Sequence, residues 1–165
     1  MGFEVLVATP SDAAELAEVA ALTFPLACPP SVAAEDVAAF VDATLSPRRF
    51  AEYLTDENRR VLAVRDDGRI IGYAMLINPT GESAVELSKF YLLPGHHGTG
   101  AATSLMEAAL DWAGETGAQT IWLGVNRNND RAQAFYRKRD FEVTGTRTFD
   151  VGSTTEHDLL MARPL

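Results

Sequence analysis

Between Leu92 and Thr103 the chain reads Leu-Leu-Pro-Gly-His-His-Gly-Thr-Gly-Ala-Ala-Thr, and few folds accept such a segment. A strand-like run ends in it, small residues fill it, and a helical pattern starts beyond it. Small residues let a backbone come close to a ligand. The unpaired N–H groups at a helix N-terminus then point at that ligand, and the helix dipole favours an anion. A diphosphate is the natural guest. A Walker loop would need a lysine followed by serine or threonine, which this segment lacks. A dinucleotide fingerprint started at Gly98 would reach Thr103 where glycine or alanine belongs, so it fails as well. A glycine-eased turn into a helix, with no ligand, is the structural alternative.

The flanking patterns place this loop in a mixed α/β chain. Phe3 to Ala8 reads as a strand. Thr9, Pro10 and Asp12 then form a capping signature for a first helix with Leu16, Val19 and Ala20 on its apolar stripe. Three prolines between Phe24 and Pro30 predict an irregular segment. A helix is expected from about Val32 to Leu45 with Ser31 as its cap, and another after Ser46-Pro47. Strands follow over Arg60 to Val64 and Arg69 to Ile77, joined by a hairpin turn at Asp66-Asp67-Gly68. A fourth strand spans Val85 to Leu93. Beyond the loop come a helix from Gly100 to Glu115, a strand from Thr120 to Val125 and a helix from Asp130 to Arg139. Strands near Phe141 to Asp150 and Thr155 to Arg163 finish the chain. Antiparallel hairpins thus precede one strand-helix-strand unit, which must be a parallel crossover. Regular dinucleotide-fold alternation is excluded.

The 165 residues favour a single domain spanning 1–165. The net charge of -9 argues against a nucleic-acid partner, which needs a basic footprint. It fits a solvated acidic surface and mildly favours cationic partners. No apolar run nears the roughly 20 residues of a membrane span, and Met1-Gly2-Phe3-Glu4 does not open a signal peptide, so no membrane contact and a cytoplasmic location are expected. The single cysteine, Cys28, cannot form an intrachain disulfide and reads as a bystander thiol. His96, His97 and His157 form no recognisable ligand set, so no metal is expected.

A second motif lies downstream: Asn129-Asp130-Arg131-Ala132-Gln133-Ala134-Phe135-Tyr136-Arg137-Lys138-Arg139-Asp140-Phe141. It resembles N-x-x-A-x-x-F-Y-x-x-x-G-F of the GNAT N-acetyltransferases, with Asp140 where the family has glycine. The loop His97-Gly98-Thr99-Gly100-Ala101-Ala102 resembles that family's coenzyme A loop, Q/R-x-x-G-x-G/A, with His97 in place of glutamine or arginine. The two motifs stand in the family's order with a strand between them. Ser31 to Leu54, Gly72-Tyr73-Ala74, Glu86 to Leu92 and His157 to Met161 look like the spermidine/spermine N-acetyltransferase-like branch.

The resemblance implies the GNAT fold, a mostly antiparallel mixed sheet with helices on both faces and splayed central strands. It implies acetyl-CoA as co-substrate and a primary amine as acceptor, attacking directly in a ternary complex. Carried onto this sequence, His97, Gly98, Thr99, Gly100, Ala101, Ala102 and Thr103 hold the diphosphate. Tyr91 and Leu93, with Leu92 between them, offer backbone groups to the pantetheine arm and the thioester oxygen. Asn126 and Asn129 join this cofactor-binding set. Tyr136 is placed to protonate the leaving thiolate, although a core tyrosine is the competing reading. Glu86 is the candidate base, and is equally a solvent-facing strand carboxylate. Arg127, Arg131, Arg137, Lys138 and Arg139 read as phosphate attraction or as a solvated face. Glu35, Asp36 and Asp42 stand in the region where the family shapes its acceptor site, and with the net acidity they favour a small amine or polyamine. A peptide or protein acceptor, or a coenzyme-A-binding module without turnover, are the alternatives. Such enzymes are commonly dimers, so a homodimer is among the expectations.

Overall fold

The computed structural model describes residues 2–80, 82–96 and 98–165. Seven strands form one sheet in the order β1-β2-β3-β4-β5-β7-β6. They are β1 (Phe3–Val7), β2 (Arg59–Asp66), β3 (Arg69–Ile77), β4 (Ala84–Leu92), β5 (Thr120–Asn126), β6 (Glu142–Val151) and β7 (Thr154–Pro164). The helices are α1 (Ala13–Ala27), α2 (Ala34–Thr44), α3 (Pro47–Thr55), α4 (Ala101–Glu115) and α5 (Asp130–Arg137). Every neighbouring pair is antiparallel except β4 with β5, the expected crossover.

The sheet separates two cores. On one face Leu105, Met106 and Ala109 of α4 and Tyr136 of α5 pack on Leu76, Val85, Leu87 and Leu123. On the other, Leu16 and Phe24 of α1, Val37 of α2 and Phe50 of α3 pack on Val61, Tyr73 and Met75. Both faces of the central strands are therefore apolar, and β3 is buried from Ile70 to Leu76.

Local chemistry explains several element ends. The Thr9 N–H donates to Asp12 Oδ2 at 2.8 Å, and Asp12 also pairs with Arg65 of β2 at 2.6 Å, tying the entry of α1 to the sheet. The β2–β3 turn has positive φ at both Asp67 (54°) and Gly68 (77°), the geometry that matches the twist of a two-residue hairpin. Asp140 sits at φ 67°, so aspartate takes the left-handed position where the family has glycine.

Two expectations fail in the helical layer. Helix α1 does not break before Pro25 but runs through it to Ala27. Pro25 lies in the last turn, so it forfeits the one hydrogen bond its N–H would have made to the Ala21 carbonyl and leaves only two helical residues beyond it. Phe24 beside it is buried and stacks on Phe40 of α2 with ring centroids 4.7 Å apart, so packing holds the turn that propensity disfavours. Ser31 is not the cap of α2, whose N-cap is Ala33 with no side-chain hydrogen bond; Ser46 does cap α3, accepting from Arg49 N–H at 3.2 Å.

Candidate active site

The parallel pairing of β4 and β5 covers Ala84↔Thr120, Val85↔Ile121 and Glu86↔Trp122 and then stops, although β4 continues to Leu92 and β5 to Asn126. Backbone groups beyond Glu86 are left on a sheet edge inside the protein. A cleft of about 1250 Å³ opens there, lined by both strands, the glycine loop, α5 and the α1–α2 side. An open interior edge is a place where an extended ligand can take up hydrogen bonds that no strand supplies.

Strand register decides which β4 groups face this edge. Leu93 N–H donates to Ile71 O at 2.8 Å. A Cβ built on Gly72 of β3 would lie 2.7 Å from Tyr91 O, so that carbonyl also points at β3. Backbone groups of successive residues alternate between the two sides of a strand. Those of Leu92 and Phe90 therefore face the cleft, while those of Tyr91 and Leu93, the expected pair, are turned toward β3. The one-residue difference reflects a bulge in the β3–β4 ladder between Met75 and Leu76, opposite Ser88.

The loop has the backbone that its glycines imply. Gly95, Gly98 and Gly100 have φ of 89°, 78° and 93°, and a Cβ on any of them would meet nothing within 4 Å. Gly98, Gly100, Ala102 and Thr103 line the cleft. Among the described residues, no backbone acceptor takes the N–H groups of Ala101, Ala102 or Thr103, the first turn of α4. Thr99 Oγ1 donates to His96 O at 2.6 Å and braces the turn. His97 lies outside the described residues. Arg139 reaches across from the end of α5, donating to Thr103 Oγ1 at 2.6 Å with its guanidinium 3.7 Å above the Phe135 ring. That contact clamps the two motif helices together. Arg131 and Lys138 also line the cleft. Glycine backbone, unsatisfied N–H groups and nearby cations fit a diphosphate.

Tyr136 lines the cleft and is buried against Phe90, Phe135 and Phe141. Among the described residues its hydroxyl has no hydrogen-bond partner. Burial, reinforced by nearby Tyr91, pushes its phenol well above the usual range. Burial likewise pushes Tyr91 up to about 12, with Cys28 and Asp158 adding to the effect. Both phenols are therefore proton-bearing at neutral pH. Glu86 lines the cleft at the closed end, on the last paired rung. Asn126 and Asn129 line it too, with polar atoms already engaged: Asn126 accepts from Asn128 N–H and donates to Glu156, and Asn129 caps α5 by accepting from Ala132 N–H.

The cleft also holds charged residues that sequence reasoning missed. Lys89 is half-buried, and burial, then Arg59, brings its ammonium down to about 8, with Glu86 pulling the other way. Glu156 and Asp158 of β7 are buried and share a face; Asp158 pairs with Arg147 of β6 at 3.2 Å. Two acids spaced by two, and so on one face of a strand, were the available signal. Glu35, Asp36 and Asp42 do not line this cleft.

The profile of the Acetyltransferase (GNAT) family matches residues 25–141. The chain belongs to the GNAT acetyltransferase family. It is 60% identical over 155 residues to a protein of Mycobacterium tuberculosis (strain ATCC 25618 / H37Rv) named an uncharacterised N-acetyltransferase, covering 94% of this chain and 99% of that one. It is 32% identical over 111 residues to streptothricin acetyltransferase of Streptomyces lavendulae, covering 66% of this chain and 59% of that one. The crystal structure of the PaiA N-acetyltransferase from Thermoplasma acidophilum, in complex with coenzyme A, superposes with a TM-score of 0.86 at 21% identity over the whole of both chains. This GNAT protein is an acetyl-CoA-dependent N-acetyltransferase. Its fold matches the sequence expectation, with splayed β4 and β5 and helices on both faces. Among the described residues no helix is long and apolar enough to cross a membrane.

Proposed function

We propose that the cleft moves an acetyl group from acetyl-CoA to a primary amine of a small molecule, by direct attack in a ternary complex. The observation that carries this reading is the β4–β5 gap, which runs from a loop built for a diphosphate to a buried, proton-bearing tyrosine. Acetyl-CoA supplies an activated acyl carbon. Gly98 to Thr103 hold its diphosphate, and Leu92 and Phe90 offer backbone groups to the pantetheine arm from the open edge of β4. An N–H fixed there stabilises the negative charge that develops on the thioester oxygen, and is worth most in the transition state.

A lysine-like ammonium must first lose its proton, at a cost of about 4.6 kcal/mol at pH 7. Glu86, directly or through water, is the residue in the cleft proposed to take it. Tyr136 donates its proton to the departing sulfur. The matched streptothricin acetyltransferase supports a small-molecule acceptor. Within that class, the sequence resemblance favours polyamines, and the acceptor panel includes spermidine to test them. Dimerisation belongs to it as well and is checked by sedimentation velocity.

An acceptor panel of amines, amino acids and peptides, scored by release of coenzyme A thiol, tests the proposal. Release dependent on a small amine is the expected result. Turnover confined to peptides would overturn the small-molecule reading. Acetyl-CoA binding with no turnover on any acceptor would favour a binding module.

A further inference from the structure

Arg147 lies across the acceptor side of the cleft in a way that only glycine on β5 permits. Its register partner on β7 is Asp158, whose carboxylate accepts from Nε at 3.2 Å. The guanidinium then extends over Gly124: a Cβ there would stand 2.7 Å from Cζ and 3.0 Å from Nε, and closer still to one terminal nitrogen. Arg147, Asp158 and Gly124 all line the cleft. Among the described residues, neither terminal nitrogen of Arg147 has a hydrogen-bond partner, so the outer edge of its planar fork remains available. Asp158, one-tenth exposed, orients that fork from behind. An arginine held flat with a free fork is the arrangement that receives a carboxylate through two parallel hydrogen bonds.

Resting on the acetyltransferase reading above, we infer that Arg147 binds a carboxylate of the acceptor, so that the acceptor is an amine that also carries a carboxylate, of the amino-acid class. Charge in the rest of the cleft agrees. Arg147 stands among Glu86, Glu156 and Asp158, so this side of the lining carries both signs of charge, as a zwitterion requires. Glu156 has Asn126 as its partner at 3.2 Å and no cation within ion-pair distance among the described residues, leaving a carboxylate to face an acceptor's ammonium. No covalent chemistry is added; Arg147 positions the acceptor and selects it.

The test compares L-lysine with L-lysinamide, which keep the same amines and differ in the carboxylate. The kcat/KM ratio of the two is measured in the wild type and in variants, so that intrinsic amine reactivity cancels. Arg147→Gln alone would strand a buried Asp158, so the main variant is Arg147→Gln with Asp158→Asn, which removes both charges together. Arg147→Lys keeps a charge beside Asp158 but loses the fork. In both, the L-lysine to L-lysinamide ratio should fall by roughly ten-fold or more, through the KM for L-lysine. An unchanged ratio, an equal loss on both acceptors, or a wild type that binds acetyl-CoA but turns over neither compound or prefers spermidine to L-lysine, would overturn the inference. Failure of the wild type to bind acetyl-CoA in calorimetry would instead remove the acetyltransferase reading, and this inference with it.

Discussion

Phe90 of β4 and Tyr136 of α5 meet edge to face in the wall of the β4–β5 cleft, their ring centroids 6.3 Å apart. With Phe135 and Phe141 they form an aromatic cage that fixes the Tyr136 ring without hydrogen-bonding its hydroxyl. Ring and hydroxyl thus have separable jobs, one in packing and one in chemistry. Tyr136→Phe keeps the ring, so the melting temperature should hardly move. If the hydroxyl is the general acid, turnover should fall by about 10²–10⁴-fold while acetyl-CoA affinity in calorimetry stays within a few-fold. Near wild-type turnover would remove Tyr136 from the mechanism. Because burial raises its pKa, the phenol should stay protonated through ordinary assay conditions, and kcat should show no alkaline limb from this group below about pH 10.

Acetyl-CoA should stabilise the fold by mass action. At 100 times the dissociation constant the gain is about 2.7 kcal/mol, which for a chain of this size raises the Tm by roughly 5–10 °C. Scanning calorimetry with acetyl-CoA, NAD and ATP checks this. Absence of a shift with acetyl-CoA, or an equal shift with NAD, would count against the coenzyme site.

Gly100 permits a test of the loop itself. At φ 93° any side chain costs about 1–2 kcal/mol in backbone strain, yet a Cβ there meets nothing within 4 Å. Gly100→Ala and Gly100→Glu should therefore lose similar stability in urea unfolding. Only the glutamate, a negative charge beside the diphosphate, should abolish acetyl-CoA binding. Binding retained by a folded Gly100→Glu would relocate the diphosphate site.

Lys89 predicts a pH signature. Its pKa is lowered to about 8 in the folded protein, first by burial, against about 10.4 unfolded. Below about pH 8 it is charged in both states and the folded state carries the desolvation penalty. Between about pH 8 and 10.4 the unfolded chain binds more protons, so this group makes stability rise with pH. Lys89→Met should stabilise at pH 7 by on the order of 1–3 kcal/mol, with the advantage shrinking toward pH 10. Urea unfolding of both proteins at pH 7 and 9.5 reads the difference, and a gap that widens with pH would contradict the assignment.

Gly72 leaves no room for a side chain between β3 and β4 beside the cleft. A Cβ would stand 2.7 Å from Tyr91 O, 2.9 Å from Leu92 Cγ and 3.2 Å from Val64 Cγ1. Gly72→Ala should cost about 1–3 kcal/mol through overpacking. It should also weaken acetyl-CoA binding, because the strain falls on the β4 residues that edge the gap. A fully stable variant with wild-type affinity would show that the ladder yields without moving that edge.

Features governed by neighbours along the chain are legible in the amino-acid sequence alone. The Asp67-Gly68 turn, the span of β3, the capped entry of α1 and the small-residue loop into α4 each depend on φ preferences, caps and alternation within a few residues. The loop and the Asn129–Phe141 motif are readable for the same reason, since each is continuous in sequence. How separate segments meet is decided only in the tertiary structure. Pro25 stays helical because Phe24 stacks on Phe40. Leu92 and Phe90, rather than Tyr91 and Leu93, turn their backbone to the cleft because a bulge shifts β4 against β3, and a one-residue shift exchanges its two edges. Arg147 reaches Gly124, and Asp158 stands behind it, because β6, β7 and β5 lie side by side in an order that no local pattern encodes. Local preferences act between bonded neighbours, whereas the Arg147 side of this cleft is assembled from contacts between elements that only packing brings together.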